Sequence, residues 1–69
     1  MTQYVRFEVH VPGRQMREVK RWSEVLAIAR DSGWEATATQ VRYDEHGNEL
    51  DAVEIDSHQI MDDFVERAR

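Results

Sequence analysis

The sequence predicts an α+β domain: an antiparallel sheet carrying two helices on one face. Three observations predict it. Residues 4–11 alternate strictly between polar and apolar. Residues 37–55 hold two further extended runs around a turn. Residues 24–32 and 57–68 space their apolar side chains three and four apart. A chain of 69 residues makes one small domain, spanning 1–69.

Tyr4, Arg6, Glu8 and His10 alternate with Val5, Phe7, Val9 and Val11, the pattern of a half-buried strand. Pro12-Gly13 ends it, since Pro cannot donate a ladder bond and Gly permits a turn. The next segment, "RQMREVKRW", has two readings. It is either a strand returning from that turn or the start of a long helix whose face is Val19, Trp22, Leu26 and Ala29. If it is a strand, Ser23 is expected to cap a helix from Glu24 to Ser32. A two-residue loop would set Glu8 opposite Arg17 but turn Val19 away from Phe7. A three-residue loop would set Phe7 opposite Val19 and leave Glu8 against Glu18, an unfavourable pair. In both readings Val25, Leu26, Ile28 and Ala29 form the buried stripe of the helix. Gly33 ends it in a left-handed cap.

"EATATQVRYDEHGNELDAVEID" reads as a hairpin with Glu45-His46-Gly47 as its loop. Thr37, Thr39, Val41 and Tyr43 share one face, and the expected register sets Thr39 opposite Val53 and Thr37 opposite Ile55. A closing helix follows. Asp56 or Ser57 caps it, and Asp56 with Gln59 has capping-box spacing. Ile60, Met61, Phe64, Val65 and Ala68 make its expected buried stripe, with Asp62, Asp63, Glu66 and Arg67 towards water.

An offset of 34 aligns Phe7 with Val41, Val9 with Tyr43, Gly13 with Gly47, Val19 with Val53, Ser23 with Ser57 and Leu26 with Ile60. That echo favours two strand-turn-strand-helix units, ββαββα, over the alternative βαββα.

Composition narrows the function. With no cysteine there is neither a disulfide nor a thiolate metal site. A chain this short buries only about 60% of its unfolded surface, which makes a homodimer a natural supplement to the core. No apolar run is long enough for a membrane span, and "MTQYVRFEVHVP" lacks the pattern of a signal peptide, so a cytoplasmic protein is expected.

The candidate chemistry is thin. "YDEHGNELD", residues 43–51, gathers acids, a histidine and a glycine, but its glycine falls two residues too early for a calcium loop begun at Asp44. His10, His46 and His58 sit on a strand, a turn and a helix start, without zinc-ligand spacing. There is no phosphate loop, and Ser23, Ser32 and Ser57 read as capping and turn residues. Neither a catalytic residue, a metal nor a cofactor is expected, and the chain reads as a non-enzyme.

Charge is the stronger signal. Residues 1–34 carry six Arg or Lys and four Asp or Glu, whereas residues 35–69 carry three and ten. Asp44, Glu45, Glu49 and Asp51 on the hairpin, with Asp62, Asp63 and Glu66 on the last helix, are the expected partner-binding residues. Such a field steers a basic protein surface and repels nucleic acid. The opposite candidate is a nucleic-acid-binding segment at Arg14, Arg17, Lys20 and Arg21, beside Trp22. Those four also serve to discourage edge-to-edge aggregation, and the net charge of −5 speaks against nucleic acid. Trp22 and Trp34 are expected in the core, or as interface anchors if exposed.

In composition the chain resembles the compact, acidic, cysteine-free proteins that phages and mobile elements encode. That resemblance covers no motif. Stoichiometric binding of a basic partner by the acidic hairpin and last helix is the expected function, and an inhibitor, a modulator or an antitoxin fits that physics. A structural homo-oligomer is the remaining alternative.

Overall fold

The structure, a computed structural model, describes residues 3–69. Met1 and Thr2, which open the segment read against a signal peptide, lie outside the described residues. The chain forms β1 (Tyr4–His10), β2 (Arg17–Val19), α1 (Trp22–Asp31), β3 (Thr37–Tyr43), β4 (Glu49–Ile55) and α2 (Ser57–Arg67). This is the ββαββα order. The sheet order is β2-β1-β3-β4, antiparallel throughout. Extents of 36 × 31 × 15 Å describe a slab one sheet and one helix layer thick.

The first hairpin adopts the register of the three-residue loop. Phe7 lies opposite Val19 and Glu8 opposite Glu18. Magnitudes explain the choice. Burying Phe7 and Val19 together is worth on the order of 3–5 kcal/mol, and a like-charge pair at the surface costs roughly 0.2–1 kcal/mol. Arg6 lowers that cost further, since its Nη1 donates to Glu18 Oε1 at 2.6 Å.

α1 begins earlier than Ser23 would cap it: Arg21 is the N-cap and Ser23 lies inside the first turn. The Glu24 carboxylate accepts the backbone N–H groups of Lys20 and Arg21 at 3.2 and 3.3 Å, fixing the chain as it enters the helix. At the other end, Trp34 N–H reaches Ala29 O at 2.8 Å and Gly33 N–H reaches Arg30 O at 3.2 Å. This paired closure is a Schellman motif. Gly33 supplies the left-handed turn, but Trp34 also sits at φ 67°, a conformation that costs a side chain roughly 1–2 kcal/mol. Packing on Phe64, with ring centroids 4.9 Å apart, offsets it.

The second hairpin departs from its expected register. The loop itself is Glu45-His46-Gly47, closed by Asp44 N–H on Asn48 O at 2.9 Å, and Tyr43 lies opposite Glu49. An irregularity between Arg42 and Tyr43 then slips the ladder by one residue. Ala38 pairs with Ile55, Gln40 with Val53 and Arg42 with Asp51, rather than Thr37 with Ile55 and Thr39 with Val53. A one-residue slip turns every side chain over. Ala38, Gln40 and Arg42 therefore face the helices, while Thr37, Thr39, Val41 and Tyr43 face away. The physical gain is clear: alanines sit beneath the helices, and threonine hydroxyls need no buried partner.

The internal echo is real in topology but not at one fixed offset. Gly13 and Gly47, 34 apart, both adopt positive φ. Val19 and Val53 both lie on the helix side. The helices, however, start 35 residues apart, at Trp22 and Ser57, and the buried Val25 and Ile60 share that spacing. The Ser23–Ser57 and Leu26–Ile60 matches are thus one residue out of phase. Phe7 and Val41 occupy opposite faces of the sheet, as do Val9 and Tyr43.

The core gathers Phe7, Val9, Val19, Val25, Ala29, Ala36, Ala38 and Ile60. It lies towards the Val9–Ala38 end of the helix-side face. Nearer the β3–β4 tip, Val5 and Val53 on that same face stay exposed. α2 follows suit. Ile60 is buried and Phe64 half-buried, but Met61, Val65 and Ala68, expected in the stripe, are exposed, and Asp63, expected in water, is half-buried. Asp63 turns inward because the Trp22 indole needs an acceptor.

Candidate interaction surface

Seven carboxylates were expected to form one partner-binding field. Three of them are engaged within the protein. Asp44 is built into the hairpin tip: its Oδ1 accepts His46 N–H at 2.8 Å and Asn48 N–H at 2.9 Å. The Asn48 amide, above all, holds the Asp44 carboxyl below the usual carboxylate range. Asp51 lies across the ladder from Arg42, whose Nε donates to Oδ1 at 2.9 Å while Nη2 donates to Oδ2. That two-pronged contact lowers the Asp51 pKa and raises that of Arg42. Asp63 accepts the Trp22 indole N–H at 2.6 Å and Arg67 Nε at 2.6 Å. The indole first, then the guanidinium, lowers its pKa.

Glu45, Glu49, Asp62 and Glu66 are the exposed remainder. Glu45 lies beside His46, 3.7 Å away. Glu49 opens β4, and Asp62 and Glu66, four apart, share the outer face of α2. The same two elements carry exposed apolar side chains. Leu50 and Val53 on β4 are 48% and 53% exposed, and Met61 and Val65 on α2 join them. Met61 and Val65 were expected in the buried stripe of α2; the core's placement towards the Val9–Ala38 end leaves them exposed.

The basic segment does not converge on one face. Arg14 sits in the first turn, its N–H on Val11 O at 3.0 Å. Arg17 and Val19 share the helix side, where Arg17 borders Glu24 and Asp31. Lys20 lies with Tyr4 and Arg6 instead, and Arg21 caps α1. Trp22 is half-buried against Phe7, with centroids 5.4 Å apart.

On the face away from the helices, Tyr4 lies opposite Tyr43, and Arg6 sits 5.9 Å over the Tyr43 ring. An open depression of about 370 Å³ lies at the far end of the sheet, lined by His10, Thr37, Thr39, Glu54, Asp56 and Gln59 among others. His46 and His58 lie elsewhere, at the hairpin tip and in the first turn of α2. Among the described residues no polar or charged side chain is buried, no cluster of three metal-ligating groups forms, and no helix is long and apolar enough to cross a membrane. No protein-family model, no curated protein and no solved structure matches this chain.

Proposed function

We propose that this is a non-enzymatic binding protein that engages a basic surface of a partner protein, as a stoichiometric inhibitor or modulator. Glu45, Glu49, Asp62 and Glu66 meet the partner. Asp44, Asp51 and Asp63 hold the hairpin and α2 in the shape that presents them. One observation carries the reading: β4 and α2 combine free carboxylates with exposed Leu50, Val53, Met61 and Val65. Apolar anchors beside a charged rim are the anatomy of a protein interface.

The physics fixes how such a surface behaves. Exposed charge acts mainly on the rate of encounter and is screened within about 8 Å at physiological salt. Association should therefore slow as salt rises, with dissociation little changed. Capture of a partner from the native cell, followed by association kinetics across a salt series, tests it. Replacing Glu45, Glu49, Asp62 and Glu66 together by Gln should slow association by about tenfold or more. An association rate indifferent to both salt and the quadruple change rejects the proposal.

A further inference from the structure

We infer that β4 is the docking strand of this surface, and that its occupant is an extended partner segment alternating Lys or Arg with apolar residues. This rests on the reading above and sharpens it from a charged surface to a strand that pairs. β4 is a terminal strand of the sheet and seven residues long, while the opposite edge, β2, has only three. A free edge presents unpaired N–H and C=O groups along its length, and a partner strand adds to it by main-chain hydrogen bonds.

The ladder says which groups are free. Asp44 N–H points to β4, on Asn48 O. Antiparallel alternation then directs Arg42, Gln40 and Ala38 to β4, and their partners Asp51, Val53 and Ile55 back to β3. Ala52 and Glu54 therefore turn their backbone groups outward.

The side chains specify the occupant. Tyr43 faces away from the helices, so Glu49 opposite it does too, as does Glu54 opposite Thr39. Val53 and Ile55 face the helix side. An added strand thus meets Glu49 and Glu54 on one face and Val53 and Ile55 on the other, where the Asp51 carboxylate is already held by Arg42; this is the alternation stated. Glu54 and Asp56 also line the open depression of about 370 Å³, where the end of a long cationic side chain fits. A second copy fits worse, because it brings another net charge of −5 to the same edge.

The test uses the full chain and capped hexapeptides of alternating Arg and Val, of alternating Glu and Val, and of three Arg followed by three Val. Binding is followed by amide chemical shifts at low salt. The alternating Arg–Val peptide should shift the amides of 49–55 and bind about tenfold or more tighter than either other peptide. Ala52→Pro removes one outward donor at an edge position that tolerates proline, and should weaken binding about tenfold. If Ala52→Pro does not fold, N-methylation of alternate peptide residues makes the same test on the unaltered protein.

Equal binding by the alternating and blocked Arg peptides, or no binding at about 1 mM peptide, overturns the inference. So does a β4-paired dimer of the chain, which would make a second copy the occupant. A captured partner that still binds Ala52→Pro but fails against the Glu45, Glu49, Asp62 and Glu66 variant would leave the acidic-surface reading standing and remove only the docking strand.

Discussion

The indole N–H of Trp22 donates to the carboxylate of Asp63 at 2.6 Å, joining the first residue of α1 to the second half of α2. It is the one side-chain hydrogen bond recorded between the two helices among the described residues. Arg67 completes the arrangement, holding the same Asp63 oxygen at 2.6 Å. Removing the acceptor should be felt globally. Asp63→Ala is expected to cost about 1–2 kcal/mol, and Asp63→Asn, which keeps an acceptor oxygen, less. A double-mutant cycle with Trp22→Phe, read by urea unfolding, should return a coupling of about 1 kcal/mol. Additive effects would mean the two helices are held by packing alone.

Acid should weaken the fold through three carboxyls. Asp44, Asp51 and Asp63 all have folded pKa values lowered by hydrogen-bonded partners. Between the lowered folded values and the ordinary unfolded value of about 3.9, the unfolded chain binds more protons than the folded one. Their contribution is therefore fully present above the unfolded pKa and is lost as pH falls through the folded values. Thermal midpoints should hold steady down to about pH 5 and then fall. The triple Asn variant should be less stable at neutral pH and show a flatter acid limb. A triple variant as acid-sensitive as the parent would place the effect on other groups.

How far the sequence foretold this structure depends on what each signal measured. Periodicity and turn residues left 14–22 open between strand and helix, and it was the internal echo that favoured the ββαββα order. The Gly33 stop and the Asp56–Gln59 capping box were legible directly, because each depends on neighbours a few positions away. The second hairpin was legible at its tip, where Asp44, Gly47 and Asn48 set the loop. It was not legible beyond Tyr43, since a bulge is favoured by what lies above the strands: alanines rather than threonines under the helices. The same long-range dependence hid the partners of Asp51 and Asp63. Arg42 meets Asp51 only in the bulged register, and Asp63 turns inward only once Trp22 is brought beside it. Seven carboxylates counted along the chain became four free ones in space.

Trp34 offers a test in which glycine should outperform alanine. Its φ of 67° lies in the left-handed region, where any side chain pays a steric cost. Its ring packs on Phe64. Trp34→Ala loses the packing and keeps the strain. Trp34→Gly loses the packing and releases the strain. Both should be less stable than the parent, with the glycine variant ahead of the alanine variant by about 1 kcal/mol in chemical denaturation. At ordinary helix or strand positions the order is the reverse, so an alanine variant at least as stable as the glycine one would refute the left-handed cap.

Glu8 opposite Glu18 is a conflict the fold tolerates, and changing it should raise stability. Glu18 already binds Arg6 at 2.6 Å, which leaves Glu8 as the uncompensated member of the pair. Glu8→Lys exchanges cross-strand repulsion for attraction and leaves the Phe7–Val19 contact untouched. The expected gain is about 0.5 kcal/mol at low salt, shrinking as ionic strength rises because both groups lie near water. Glu8→Gln, which removes the repulsion without adding attraction, should fall between the two. Urea unfolding at low and high salt reads all three chains. A loss of stability in Glu8→Lys at low salt would show that the β1–β2 register is set by something other than the balance of Phe7–Val19 burial against like-charge repulsion.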